Sequence, residues 1–287
     1  VERVSGTDRY DTAEQAITGY IDSAALVYLA TGRDFPDSLT ASAAAARIKA
    51  PLLLADGTRT SASDRLLRQL SMLGTTTIRI AGGPGVFSAA MEEDLRQRGF
   101  DVERHAGGDR YGTAVALARS SGAPMERALV VTGAGFADAL GAAVLAASTD
   151  SALLLSVRNC LTDVTHGEIQ SSPVTVPVTL VGGPGVLGEG VAQLTRCSDW
   201  VVQQRAAVQA RLGAAISSLS SRLPGDYSVS VRQLDGLRIS VDHRAGIMQE
   251  PASVMKLFAV YGALKRIDEG RLSYNTRTGS GVTVRDC

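Results

Sequence analysis

Two stretches of this chain are one sequence written twice. Arg3-Val-Ser-Gly-Thr-Asp-Arg-Tyr10 returns as Arg104-His-Ala-Gly-Gly-Asp-Arg-Tyr111, an offset of 101. Ala30-Thr-Gly-Arg-Asp-Phe-Pro-Asp37 returns at the same offset as Val131-Thr-Gly-Ala-Gly-Phe-Ala-Asp138, and Pro51-Leu-Leu-Leu54 as Ala152-Leu-Leu-Leu155. Ile80-Ala-Gly-Gly-Pro-Gly-Val86 returns as Leu180-Val-Gly-Gly-Pro-Gly-Val186, now offset by 100. Four landmarks in one order with a single slip define a duplicated module of about 100 residues, the period at which repeat architectures must be considered first. Segments 2–100 and 103–196 are therefore expected to superpose.

Each module alternates two periodicities. Ala25–Ala30 is a short apolar run, as in a strand buried on both faces. Asp37–Ile48 is Ala-rich and reads as a helix, with Asp37 near its first turn. Leu52–Leu54 is a strand. Ser61–Leu73 has helical spacing with Ser61 or Ser63 as N-cap, Thr76–Ala81 is β-branched, and Ser88 opens a helix to Arg98. Strand–helix alternation with short connections implies a parallel sheet covered on both faces, so each module is a small Rossmann-like α/β unit.

Gly82-Gly83-Pro84-Gly85 lies between a strand and a helix, where phosphate loops lie, but it lacks both the P-loop and the full dinucleotide fingerprint. These glycines are read as a tight βα turn with close packing. The Asp-Arg-Tyr triplets either bind a ligand or tie a helix to its neighbour, and the structural role is favoured. Neither module gathers a His, Cys or carboxylate cluster suited to catalysis or metal, so no cofactor or metal site is expected. Cys160 and Cys197 both lie in the second module, where the first has Arg59 and Gln97. A pair gained together is expected to form a disulfide; two unrelated buried thiols are the alternative.

Charge separates the two modules from the last third of the chain. The 29 Lys plus Arg balance 29 Asp plus Glu, yet residues 1–200 carry a net of −5 and residues 201–287 a net of +5. This fits unrelated domains, and the absence of a basic excess speaks against a nucleic-acid binder. With 45% hydrophobic residues the chain is too apolar for disorder, and no run reaches the roughly 20 apolar residues of a membrane helix. Neither Val1 nor Cys287 reads as a native terminus, so a fragment open at both ends is expected.

The pattern R-V-x-G-x-D-R-Y-x-T-A, then x-T-G-x-x-F-P-D-x-L, P-L-L-L and G-G-P-x-V, resembles the cell wall binding repeat 2 family over residues 2–196. That resemblance implies Rossmann-like modules on exported proteins of Gram-positive bacteria, holding them non-covalently to an anionic wall polymer. The family usually groups three modules, so a third is expected upstream of Val1. Gly108 replaces Thr7, and Ala134-Gly135 replace Arg33-Asp34. The second module is therefore expected to contribute packing more than polymer contacts. The net of −5 calls for local Arg clusters or a bridging cation.

In the last third, Gln203–Arg222 reads as a helix ending at Leu223-Pro224-Gly225. Tyr227–Gln233, the Asp235-Gly236 turn and Leu237–Val241 read as a hairpin. Ser253–Ile267 reads as a mostly apolar helix opened by Ser253-Val254-Met255-Lys256. Residues three apart share a helix face, so Lys256 is placed to take the hydroxyl proton of Ser253 if burial lowers its pKa. With Tyr227–Gly236 and Ile267-Asp-Glu-Gly-Arg-Leu-Ser273, this motif resembles the start of class A β-lactamase-like serine hydrolases, which include D-alanyl-D-alanine peptidases. The match gives Ser253 the nucleophile's place and Lys256 that of the base. The S-D-N and K-T-G elements are absent from 201–287; Ser273-Tyr274-Asn275 imitates S-x-N too close to Ser253 to serve.

The expected architecture is thus two Rossmann-like parallel α/β modules, 1–101 and 102–200, then a truncated α+β serine-hydrolase segment, 201–287. The leading functional expectation is an exported, wall-anchored serine hydrolase acting on β-lactams or peptidoglycan D-Ala peptides, inactive as this fragment. The alternative is a non-enzymatic wall-binding surface protein with a degenerate or truncated hydrolase remnant. A nucleotide-dependent enzyme using the Gly loops is a third reading, but no acidic residue at a strand end is convincingly placed for ribose.

Overall fold

The computed structural model describes residues 1–246, with 265, 269, 270 and 273. Val1–Gln203 forms one compact unit and Gln204–Cys287 a second.

In the first unit the chain runs α1 (Arg9–Thr18), β1 (Leu26–Thr31), α2 (Pro36–Arg47), β2 (Leu52–Ala55), α3 (Asp64–Met72), β3 (Thr77–Ala81), α4 (Ala89–Gln97) and β4 (Asp101–His105). The second repeat continues as α5 (Arg110–Ser120), β5 (Ala128–Thr132), α6 (Ala137–Ser148), β6 (Ala152–Ser156), α7 (Asp163–Gln170), β7 (Val178–Val181) and α8 (Glu189–Ala192). Helix α9 (Cys197–Ser220) comes next. The central strands β1 and β5 are apolar runs buried on both faces, and all strand pairings of this unit are parallel. Short polar residues start the helices. Asp8 and Asp109 accept from Asp11 N (2.7 Å) and Gly112 N (2.8 Å), and Ser63 and Ser88 cap α3 and α4.

The repeats share one topology, with order β2-β1-β3 in the first and β6-β5-β7 in the second. Gly32 and Gly133 each follow the central strand. The sheets differ in one strand. Asp101–His105 opens the second repeat in sequence but adds to β3 of the first, in register Ile78↔Val102 and Ile80↔Arg104, completing β2-β1-β3-β4. The second sheet has three strands among the described residues.

Packing between the repeats is also close. α2 lies against α5 and α6, and its Ala stripe sets the distance: Ala43 is buried with Ala114, Ala139 and Ala142, and Ala44 with Leu117. Side chains without bulk let helices approach and bury backbone-flanking surface on both sides. Polar groups lock this seam. Tyr28 Oη lies 2.7 Å from Ser120 Oγ, and the nearly buried Arg47 reaches Asp150 (2.9 Å), Ser121 Oγ (3.2 Å) and the Pro124 carbonyl (2.9 Å).

Cys160 and Cys197 form a disulfide, with Cα atoms 4.9 Å apart. The backbone prepares it: Leu161 N donates to Thr195 O, and Cys197 N returns to Leu161 O. In the first repeat the corresponding chain runs on from α4 into β4. In the second it folds back, is bridged, and enters α9.

Helix α9 starts at Cys197, ahead of the expected Gln203, and ends at Ser220. Strands β8 (Val229–Arg232) and β9 (Ser240–His243) pair antiparallel, confirming the expected hairpin with its return strand shifted toward the C-terminus. Arg205 Nε and Gln209 Nε2 donate to the carbonyls of Leu237 and Ser240 (2.7 and 2.6 Å), tying helix to hairpin. No helix among the described residues is long and apolar enough to cross a membrane.

Candidate functional site

The strand order dictates where a site can form. From β1 the chain crosses to β2 on one side, then returns past β1 to β3 on the other. Loops leaving the carboxyl ends of β1 and β3 therefore diverge and leave a crevice, the usual ligand position in open α/β sheets. A cleft of about 230 Å³ lies there, walled by Thr31, Asp34 and Asp37 after β1 and by Gly83, Gly85 and Val86 after β3. The second repeat supplies the remaining wall: Gly107, Gly108, Asp109 and Arg110 at the start of α5.

Local sequence explains each wall. Gly82 turns with φ +104, and a Cβ there would lie 2.5 Å from Asp37 Oδ2. The glycine thus permits both the turn and the approach of the carboxylate. Gly182 and Asp138 repeat this arrangement (φ +142, 3.1 Å). Burial raises the pKa of Asp37, Asp34 raises it further, and Arg110 pulls the other way.

The Asp-Arg-Tyr triplets have the structural role favoured from sequence. Arg9 Nη1 donates to Gly32 O and Arg110 Nη1 to Gly133 O, both at 2.6 Å, while Tyr10 and Tyr111 pack on those same glycines. In addition, Arg110 lines the cleft.

The departures in the second repeat lie at the wall of the cleft. At the start of α1, Thr7 N and Oγ1 both donate to Asp11 Oδ2 (2.8 and 3.0 Å). At α5 the matching residues are Gly108 and Gly112, so no carboxylate or hydroxyl fills that position. The second repeat thereby brings the Gly107-Gly108 backbone, Asp109 and Arg110 to the cleft, in addition to its packing. The repeat offset identified these substitutions; that β4 carries them beside the first repeat's loops was not legible in either repeat alone.

Ser253 and Lys256 lie outside the described residues. Among the described residues, no group of three or more His, Cys, Asp or Glu is placed to hold a metal ion.

The model of the cell wall binding domain 2 (CWB2) family matches residues 3–92 and 104–192. The chain belongs to this family. Its CWB2 repeats are 27% identical over 191 residues to the N-acetylmuramoyl-L-alanine amidase LytC of Bacillus subtilis (strain 168), covering 67% of this chain and 38% of the relative. An amidase enhancer of the same organism is 31% identical over 163 residues, covering 56% of this chain and 22% of the relative. Solved structures of Cwp6 and Cwp8 from Clostridium difficile match with TM-scores of 0.60 and 0.59 at 20% and 25% identity. They cover 67% and 68% of this chain, and 31% and 33% of their own. The chain thus spans about a third of the relatives it matches. A cell wall or cell surface location in a Gram-positive bacterium follows from CWB2 membership and these likenesses. The family match ends at residue 192, so the hydrolase reading of 201–287 draws no support from it.

Proposed function

We propose that this protein is a non-enzymatic wall-binding module whose ligand is an anionic wall polymer, held in the cleft shared by the two repeats. This is the alternative of the two expectations from sequence. One observation carries it: the crevice at the β1/β3 switch point is finished by the Gly107-Gly108 backbone at the start of α5 and by Arg110. Backbone N–H groups at a helix start and a guanidinium are the donors that a phosphate or carboxylate group needs. Arg110 is the basic residue of a lining that also holds Asp34, Asp37 and Asp109, so an anionic group is met at Arg110 and the backbone N–H groups and not by a net positive cleft. Asp34 and Asp37 at the opposite wall select against fully ionised ligands lying deep in the crevice and favour a polymer with hydroxyls beside its anionic groups.

The test is sedimentation with purified walls before and after extraction of their anionic polymers. Arg9 and Arg110 make the same carbonyl bond in their respective repeats, so Arg9→Ala controls for the structural loss. Arg110→Ala is expected to weaken binding about tenfold beyond that control, the scale of one charge-assisted hydrogen bond. Equal losses in the two variants, or full binding to extracted walls, would reject the reading.

The proposed division is 1–101, 102–200 and 201–287. The rival reading, acyl transfer by Ser253 with Lys256 as base in 201–287, rests on sequence alone. Labelling of a longer chain by a fluorescent penicillin, abolished by Ser253→Ala, is its expected outcome; undiminished labelling of that variant removes it.

A further inference from the structure

The glycine turn that walls the cleft is held from behind, and the hold comes from the other repeat. Gly82 N donates to His105 O (3.0 Å), and Gly82 O accepts from Arg104 Nη1 (2.7 Å). Both main-chain polar groups of this residue are therefore bonded to β4, which leads into α5 of the second repeat. At its far end the turn is fixed by the buried Phe87 and by Ser88 N on the Gly57 carbonyl (2.7 Å). Between the two anchors it has little enclosure. Pro84 and Gly85 are exposed, and nothing lies within 4 Å of where a Cβ on Gly83 or Gly85 would be. Gly83, Gly85 and Val86, which face the cleft, keep their place at the near end through Gly82.

Arg104 is itself fixed. Its Nε donates to Glu92 Oε2 (2.7 Å), a buried carboxylate in the first turn of α4. Arg96 takes the other oxygen of Glu92 and also donates to Val102 O (3.1 Å). Two guanidiniums on one buried carboxylate leave it paired if either is lost. Each has its own carbonyl as well, Gly82 for Arg104 and Val102 for Arg96, so of the two it is Arg104 that holds the cleft turn. The second repeat lacks the carboxylate of this device. Ala192 stands at the position of Glu92, and Arg196, the counterpart of Arg96, pairs with Asp199 (3.0 Å).

We propose that Arg104 is a positioning residue of the cleft: aligned by Glu92, it holds the turn 82–86 at the spacing from Arg110 that an anionic group of the wall polymer requires. This role rests on the polymer reading for its ligand and goes beyond it in naming residues that do not line the cleft. A guanidinium suits it because the planar fork keeps one donor on the carboxylate and another on the carbonyl at once, which the single ammonium of a lysine does not. Arg104 and Arg110 ride on one segment, the end of β4 and the start of α5. One sets the turn from behind, and the other lines the cleft in front. The second repeat thereby sets the width of a crevice whose loops belong to the first.

Wall sedimentation and amide hydrogen exchange of the 287-residue protein are the test, with Arg96→Ala as control. That control takes a guanidinium from the same carboxylate and leaves the turn's anchor in place. Arg104→Ala, with circular dichroism unchanged, is expected to bind walls about tenfold more weakly and to exchange the amides of 82–86 about tenfold faster. Arg96→Ala should stay within about twofold of the parent in both measurements. Arg104→Lys keeps a cation on Glu92 without the fork, so it serves where the alanine variant does not fold, and should show the same two changes at about threefold or more. Parent-like wall binding by the Arg104 variants, or an equal loss in Arg96→Ala, would overturn the role. Unchanged exchange at 82–86 would overturn it whatever the walls show. Full binding of the parent to extracted walls is a separate result: it rejects the polymer ligand, and the exchange data then decide the anchor alone.

Discussion

The two repeats have the same strand order and the same landmark residues, yet they are finished differently. The first is completed by its neighbour, which lends β4 to its sheet, α5 to its helix layer and Arg110 to its cleft. The second is completed by a covalent bond, the Cys160–Cys197 bridge, at the point where its chain turns back and does not enter a fourth strand. The sequence period of about 100 residues is therefore not the structural period. The first module's sheet and crevice are closed by the beginning of the second, so the unit that folds and the unit that repeats are out of phase.

Removing the bridge tests this difference most severely. Cys160→Ser with Cys197→Ser should cost about 2–4 kcal/mol for a loop of this length. Hydrogen exchange should show the loss concentrated in β5–β7, with β1–β3 protected by their fourth strand. Equal loss of protection in both sheets would mean that the repeats do not differ in how they are held.

The seam comes next. Arg47→Ala removes a nearly buried guanidinium with three partners across the repeats and should cost about 1–2 kcal/mol in denaturant unfolding, discounted because Asp150 is mostly exposed. Its counterpart Ser148→Ala, at the open face of α6, should change stability by less than about 0.5 kcal/mol. Similar costs at the two positions would argue against an asymmetric pair.

Tyr28→Phe sharpens the same point on a smaller scale. The second repeat has Leu129 there, and Ser120 loses its phenol partner in the variant. The expected loss is about 1 kcal/mol, and Arg79 retains its 2.8 Å bond to Glu103.

Asp37→Asn has the smallest expected effect and an unusual sign. Because burial raises the Asp37 pKa in the folded protein, the native state holds the proton to higher pH than the unfolded chain does. Ionisation of this one group therefore opposes folding above the ordinary carboxylate range of about 4, and its contribution to stability improves as pH falls through the raised value. The amide variant should match or slightly exceed the parent in Tm at neutral pH and lack that titration. A clear loss of stability at neutral pH would show that the carboxylate is needed ionised. If the cleft takes an anion, binding by the parent should also strengthen on mild acidification, and the variant should show less of that dependence.

Much of this was legible in the sequence because its causes are local. Short apolar runs such as Ala25–Ala30 read as strands covered on both faces, Asp8, Ser63, Ser88 and Asp109 supply acceptors to the free N–H groups at helix starts, and the glycine after β3 answers to a positive φ. The duplication itself required no structure, and two cysteines confined to one repeat sufficed to expect their bridge. Tertiary structure alone decided the partnerships. Asp101–His105 has the same strand-forming character whichever sheet it joins, and only the open edge of β3 selects the first. Gly108 looked like a lost contact because its neighbours in sequence belong to the second repeat, while its neighbours in space are the loops of the first. Exposure on α6 was likewise invisible to periodicity, since Val144 and Leu145 are as apolar as a buried pair would be. Local propensity decides which elements form; which surfaces they cover depends on contacts between residues far apart in the chain, and the sequence pattern carries no record of those distances.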